Sequence, residues 1–133
     1  MADLLPGLDA ALDALNRGDV EPVIALLDES VQWRGRPEGH LWWKHMPSCS
    51  GPGEARVNLQ RQAAKGRARR FELRQVEQVG QRLVIGGGWT ADGGPPGEAG
   101  QFFQVLTVRD GRIVDIQGCN SRREALAFAR SAA

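Results

Sequence analysis

The 133-residue chain has no tyrosine, so no phenol is available as a proton donor. Its two cysteines, Cys49 and Cys119, are too few for a disulfide scaffold, and a reducing cytoplasm is the expected compartment. No apolar run approaches the ~18 residues of a membrane-spanning helix. The opening MADLLPGLDAAL is acidic and lacks the basic n-region of a secretory signal. A net charge of +1 provides no global field toward nucleic acid or a membrane. These absences leave a single domain over residues 1–133. It is long enough to bury roughly two-thirds of the surface its unfolded chain exposes.

The most informative stretch that is present runs from Gln101 to Leu126, QFFQVLTVRDGRIVDIQGCNSRREAL. Phe103, Val105 and Thr107 share one strand parity and Phe102, Leu106 and Val108 the other, which predicts a strand covered on both faces. Asp110-Gly111 supplies the positive φ angles of a two-residue hairpin turn. Ile113, Val114 and Ile116 carry the returning strand. Ser121-Arg122-Arg123-Glu124 then reads as a capping box opening a short helix with Ala125, Leu126, Phe128 and Ala129.

Upstream, Leu5, Leu8, Leu12 and Leu15 fall at helical spacing, and Gly18 suits the position just past the helix end. Asp19 is placed to cap a second helix, with Pro22 in its first turn and Val20, Val23, Ile24 and Leu27 as its apolar face. Val31-Gln32-Trp33 predicts a short strand. Gly35–Ser50 has no clean period and holds both histidines and two of the four tryptophans, the pattern of a functional loop. Ser50 and Pro52 open a third helix. Arg69–Val79 reads as a strand with a bulge near Gln75, because Val76 breaks the parity of Phe71 and Leu73. The next strand, Arg82–Thr90, contains Gly86-Gly87-Gly88, which has no following helix to make a phosphate loop and instead lets the sheet bend.

FFQVLTVRDGRIVDIQGCNSRREALA and ALNRGDVEPVIALLDESVQWRG resemble the nuclear transport factor 2-like superfamily in its SnoaL-like branch. The resemblance implies an α+β fold in which a curved mixed sheet and N-terminal helices surround a cone-shaped cavity. It also implies a homodimer through the sheet, and a role for Trp33 as an aromatic carried into the cavity. Relatives that are isomerases, cyclases or epoxide hydrolases use Asp, His, Tyr or Arg pointing into the cone. The acidic residue that many SnoaL-like proteins carry on the last strand aligns with Gly118, a departure that weakens the cyclase parallel. Asp115 lies on the opposite parity.

Four kinds of chemistry compete on this frame. His40, His45 and Cys49 are metal-ligand types, but their spacing fits no zinc pattern, so no metal and no cofactor is expected. His40 and His45 are the candidate catalytic bases, because an imidazole already titrates at about 6.5; His45, between Trp43 and Met46 in sequence, is favoured. A cavity without chemistry is the leading reading. Trp33, Trp42, Trp43, Trp89 and Phe102 would supply apolar walls, and His40, His45, Gln104 and Asn120 convergent polar groups, for a small apolar or aromatic molecule. The basic run Arg61, Lys65, Arg67, Arg69, Arg70 and Arg74 lacks interleaved aromatics and reads as a solvated face, not a nucleic-acid site. A dimeric scaffold with a filled cavity completes the set.

Overall fold

A computed structural model of the chain describes residues 4–35, 48–64, 69–91 and 99–131. Two helices come first, α1 (Leu4–Asn16) and α2 (Glu21–Ala25). Strand β1 (Leu27–Arg34), the short β2 (Cys49–Ser50) and helix α3 (Gly51–Ala64) follow. Three long strands, β3 (Arg69–Val79), β4 (Arg82–Ala91) and β5 (Ala99–Arg109), lead into β6 (Arg112–Cys119) and α4 (Arg122–Ser131). The strands form one six-stranded sheet in the order β2-β1-β6-β5-β4-β3. It is mixed: β1 runs parallel to β6, and every other pair is antiparallel. Among the described residues, no helix is long and apolar enough to cross a membrane.

The expected hairpin stands at the centre of the sheet. Val108 pairs with Ile113 and Arg109 with Arg112 across Asp110-Gly111, whose φ angles are 54° and 77°. Both central residues are therefore left-handed, as a turn matched to strand twist requires. β5 is covered on both faces, as its two apolar parities predict. Phe102, Leu106 and Val108 join the larger core with Leu8, Ile24, Val31, Leu59, Ile85 and Ile116. Val105 joins Val84, Cys119, Ala125 and Ala129 in a second core under α4. Helices α1, α2 and α3 thus line one face of the sheet and α4 the other.

Two features bend the sheet. The register between β3 and β4 slips between Leu73 and Gln75, so Arg74 is the extra residue of a bulge. Opposite it, the Gly86–Gly88 run lets the strands approach closely. A Cβ at Gly87 would lie 1.9 Å from the Glu72 carbonyl oxygen, and one at Gly86 2.9 Å from the Phe103 ring.

The helix starts depart from expectation in detail. α2 stops at Ala25, and Leu27 opens β1 instead of extending the helix. Its N-cap is Val20; Asp19 acts from one residue further out, its Oδ1 accepting from the Glu21 amide at 3.1 Å. β1 is longer than Val31–Trp33 because its pairing with β6 starts at Leu27, opposite Ile113, and runs to Arg34, with a slip in register between Leu27 and Gln32. Within the slip, the Asp28 carboxylate accepts from both the amide and the hydroxyl of Ser30. The Ser50 hydroxyl bonds to Gln32 Oε1 at 2.8 Å and does not cap α3, while the Ser50 amide donates to Glu54 Oε1. At α4 one half of the expected capping box is present, the Glu124 amide donating to Ser121 Oγ at 3.1 Å.

Candidate functional site

The site is built from alternation along β1, β3, β4, β5 and β6. Directly paired residues of neighbouring strands share a face, so the rows across the sheet can be read from the register. Trp33 pairs with Ile116, Ile116 with Leu106, and Leu106 with Leu83. One row along, Gly118 pairs with Gln104 and Gln104 with Ile85. The next row joins Phe102, Gly87 and Leu73. All of these positions lie on the face turned toward α1, α2 and α3.

Burial along this face is uneven. Leu83, Ile85, Leu106, Ile116 and Phe102 are buried. Trp33, Phe71 and Leu73 pack against the same core but remain half-buried. The rings of Phe71 and Phe102 meet edge to face, with centroids 6.0 Å apart and planes at 75°, the favoured arrangement for an aromatic pair. Gln104 is also half-buried, held between Phe102 and Leu106 along its own strand. The wall is thus apolar and aromatic with one primary amide on it.

The carboxylate closest in sequence to Gly118 faces away. Asp115 accepts from Arg34 Nη2 with both oxygens, at 2.8 and 3.0 Å. The Arg34 guanidinium lies over the Phe128 ring of α4, 5.6 Å from its centroid. Arg82 approaches the same ring at 5.0 Å and donates to the Phe128 and Ala129 carbonyls near the end of α4. These charges fasten α4 to the outer face and are remote from the concave wall.

On the α3 side, Cys49 and Asn58 form a buried polar pair. Asn58 is the buried polar side chain among the described residues, and its amide hydrogen-bonds the Cys49 side chain. Burial pushes the Cys49 thiol above its ordinary range; the Asn58 hydrogen bond opposes that shift, and the nearby Glu54 charge adds to it. The thiol is therefore neutral at physiological pH. Outside this pair, an open groove of about 350 Å³ runs along α3, lined by Ser48, Gly53, Glu54, Val57, Asn58 and Arg61.

Of the residues expected at the site, the structure places Trp33, Phe102 and Gln104 on the same face of the sheet, in three different rows. It sets Trp89 at a register position between Phe71 and Gly100. Asn120 is exposed at the bend between β6 and α4. His40, His45, Trp42 and Trp43 lie outside the described residues. Among the described residues no group of three or more His, Cys, Asp or Glu side chains could hold a metal ion. Cys49 and Cys119 form no disulfide and belong to cores on opposite faces of the sheet. Sequence reasoning missed Asn58; its signal was the stripe Ala55, Asn58 and Leu59, which places an amide on the buried face of α3.

Comparison with solved structures returns the same architecture. A nuclear transport factor 2-like protein of unknown function from Burkholderia pseudomallei K96243 is 20% identical, with a TM-score of 0.69, over 99% of this chain and 100% of that one. A putative polyketide cyclase from Sinorhizobium meliloti is 15% identical with a TM-score of 0.63, covering 85% of this chain and 93% of its own. An epoxide hydrolase from Mycobacterium tuberculosis, described as limonene-epoxide-hydrolase-like, is 18% identical with a TM-score of 0.63, covering 91% and 84%. No curated protein matches the sequence. At these identities the likenesses establish the fold. The fold is that of nuclear transport factor 2-like proteins; the model of the SnoaL-like domain matches residues 8–116, and the chain belongs to that family.

Proposed function

We propose that this domain holds a small, mostly apolar or aromatic molecule against the concave face of its sheet. The observation that carries the reading is the half-burial of Trp33, Phe71 and Leu73 against the core that contains buried Phe102. Large apolar side chains left partly open beside a closed core form the kind of wall that binds a ligand by area and ring contact. The descriptions of two proteins of the same fold as a polyketide cyclase and an epoxide hydrolase support a small-molecule role. Native mass spectrometry of the protein purified from cells tests it: an adduct of a few hundred daltons is expected, weakened in Trp33→Ala. The same spectrum reads the proposed homodimer. An unliganded spectrum, with no binding of neutral aromatic probes in titration, would overturn the reading.

A second reading is a cofactor-independent isomerase, cyclase or hydrolase. It is supported by the descriptions of the same two proteins as a cyclase and an epoxide hydrolase; among the described residues the concave wall offers only a neutral thiol, and Asp115 is committed to Arg34 on the outer face. A base would therefore have to come from His45 or His40. On this reading His45→Ala abolishes turnover of aryl epoxides or enolisable ketones, while Asp115→Asn leaves it intact. Turnover retained in His45→Ala and in His40→Ala would sink it. A third reading, a dimeric scaffold, predicts a dimer with no adduct.

A further inference from the structure

We propose that Gln104 reads a single uncharged polar group on the bound molecule, so that the ligand class is a neutral aromatic or alicyclic compound bearing one carbonyl or hydroxyl group. This rests on the concave face being the binding site, as proposed above.

The strand register sets the surroundings of this amide. Gln104 lies on the face of Phe102 and Leu106, directly opposite Ile85 on one side and Gly118 on the other. Its neighbours along and across the strands are thus two apolar side chains of its own strand, one of β4, and a glycine. Phe102, Leu106 and Ile85 are buried, so the amide stands half-buried in an apolar frame. Its side chain makes no hydrogen bond to any of the described residues. A primary amide carries two N–H donors and a carbonyl acceptor, and a ligand that covers it must satisfy them, because a polar group drawn out of water without a partner is unfavourable. Gly118 has no side chain to meet it. A ligand carbonyl would accept from the Gln104 amide nitrogen, and a ligand hydroxyl would donate to its oxygen.

The same frame selects against charge. Asp115, Arg34 and Arg82 are held on the outer face by each other and by Phe128. The concave core among the described residues contains no side chain that is ionised at neutral pH. A carboxylate or ammonium bound there would be desolvated beside apolar rings, with no opposite charge among the described residues of this wall to pair it, which disfavours it strongly. A site that hydrogen-bonds a ligand also discriminates against the analogue lacking the polar group, because its own amide is then left dry.

The test is an equilibrium titration of wild type, Gln104→Leu and Gln104→Glu with four naphthalenes differing at one position: 2-acetyl, 2-hydroxy, 2-ethyl and 2-carboxylate. Wild type is expected to bind the ketone and the alcohol at least 10-fold more tightly than the ethyl compound, and the carboxylate most weakly. Gln104→Leu should bind the ethyl compound at least as well as wild type does and lose the preference. Gln104→Glu, which keeps the shape but only accepts when ionised, should lose the ketone preference and retain the alcohol. A preference unchanged in Gln104→Leu, or tightest binding of the carboxylate by wild type, overturns the assignment while leaving the binding face intact. Failure of wild type to bind any of the four defeats the concave-face reading, and this inference with it.

Discussion

The side chain of Asn16 closes both backbone hydrogen bonds of Phe71. Its Nδ2 donates to the Phe71 carbonyl at 2.9 Å, and its Oδ1 accepts from the Phe71 amide at 2.7 Å. β3 is an edge strand of the sheet, so at this point the last residue of α1 stands where a further strand would pair. The contact seats the N-terminal helix against the strand that carries Phe71 and Leu73 into the concave wall. It also satisfies an edge that would otherwise be open to association. Asn16→Ala is expected to cost about 1–3 kcal/mol, the range for stranding part-buried polar groups. Hydrogen exchange at the Phe71 amide should accelerate beyond that at its β3 neighbours. Stability and exchange both matching wild type would contradict the clamp.

Gly87 marks the closest approach in the bend. With the Glu72 carbonyl oxygen 1.9 Å from where a Cβ would be, the backbone must shift to accept any side chain. Gly87→Ala should therefore destabilise the fold by about 2 kcal/mol or more, at the upper end of ordinary single substitutions. Gly53→Ala is the control, since no atom lies within 4 Å of the position a Cβ would take there. Chemical denaturation of both variants reads the difference, and equal midpoints would remove the steric account of the glycine run.

The buried thiol of Cys49 should be inert in the native state. Its burial favours the protonated form, and the thiolate is the nucleophile. Alkylation at neutral pH is expected only after unfolding. The sign of the pH dependence follows from linkage. A group whose folded pKa lies above its unfolded value contributes stability that is fully present below the unfolded thiol range, about 8.5, and is lost as pH rises above it. Stability of wild type should fall through that alkaline window more steeply than that of Cys49→Ala. Rapid native-state alkylation, or identical alkaline slopes, would refute the assignment.

The hairpin at Asp110-Gly111, the bulge beside Gln75 and the two-faced burial of β5 were legible because each is a local signal, in turn chemistry or in parity. The extent of β1 was not. Its lengthening depends on a parallel pairing with β6, about eighty positions away, and Asp28-Glu29-Ser30 reads as loop in isolation. The Asn16 clamp was hidden for the same reason, since an asparagine at a helix end looks like a terminator until the edge strand is placed beside it. Within the site, parity put Phe102 and Gln104 on named faces of β5. What parity could not supply was the row across the strands that sets Gln104 opposite Gly118.

That row yields a last expectation. Gly118 is buried and faces Gln104 across the β5–β6 pair. Gly118→Asp would place a carboxylate on the apolar concave wall, at the position paired with Gln104. Desolvation favours the neutral acid, so the introduced group should titrate above the usual carboxylate range of about 3.9. Its folded pKa then exceeds its unfolded value. The variant should be closest to Gly118→Ala in stability at acid pH and should lose ground as pH rises, by about 1.4 kcal/mol for every tenfold weakening of the acid on folding. The alanine variant carries the steric cost of a side chain without the charge, so the difference between the two isolates the electrostatic part. Denaturation of both variants from pH 4 to pH 8 makes the measurement. A gap that is constant with pH would mean that the position is open to solvent, and that the wall lacks the dryness on which ligand selection at Gln104 depends.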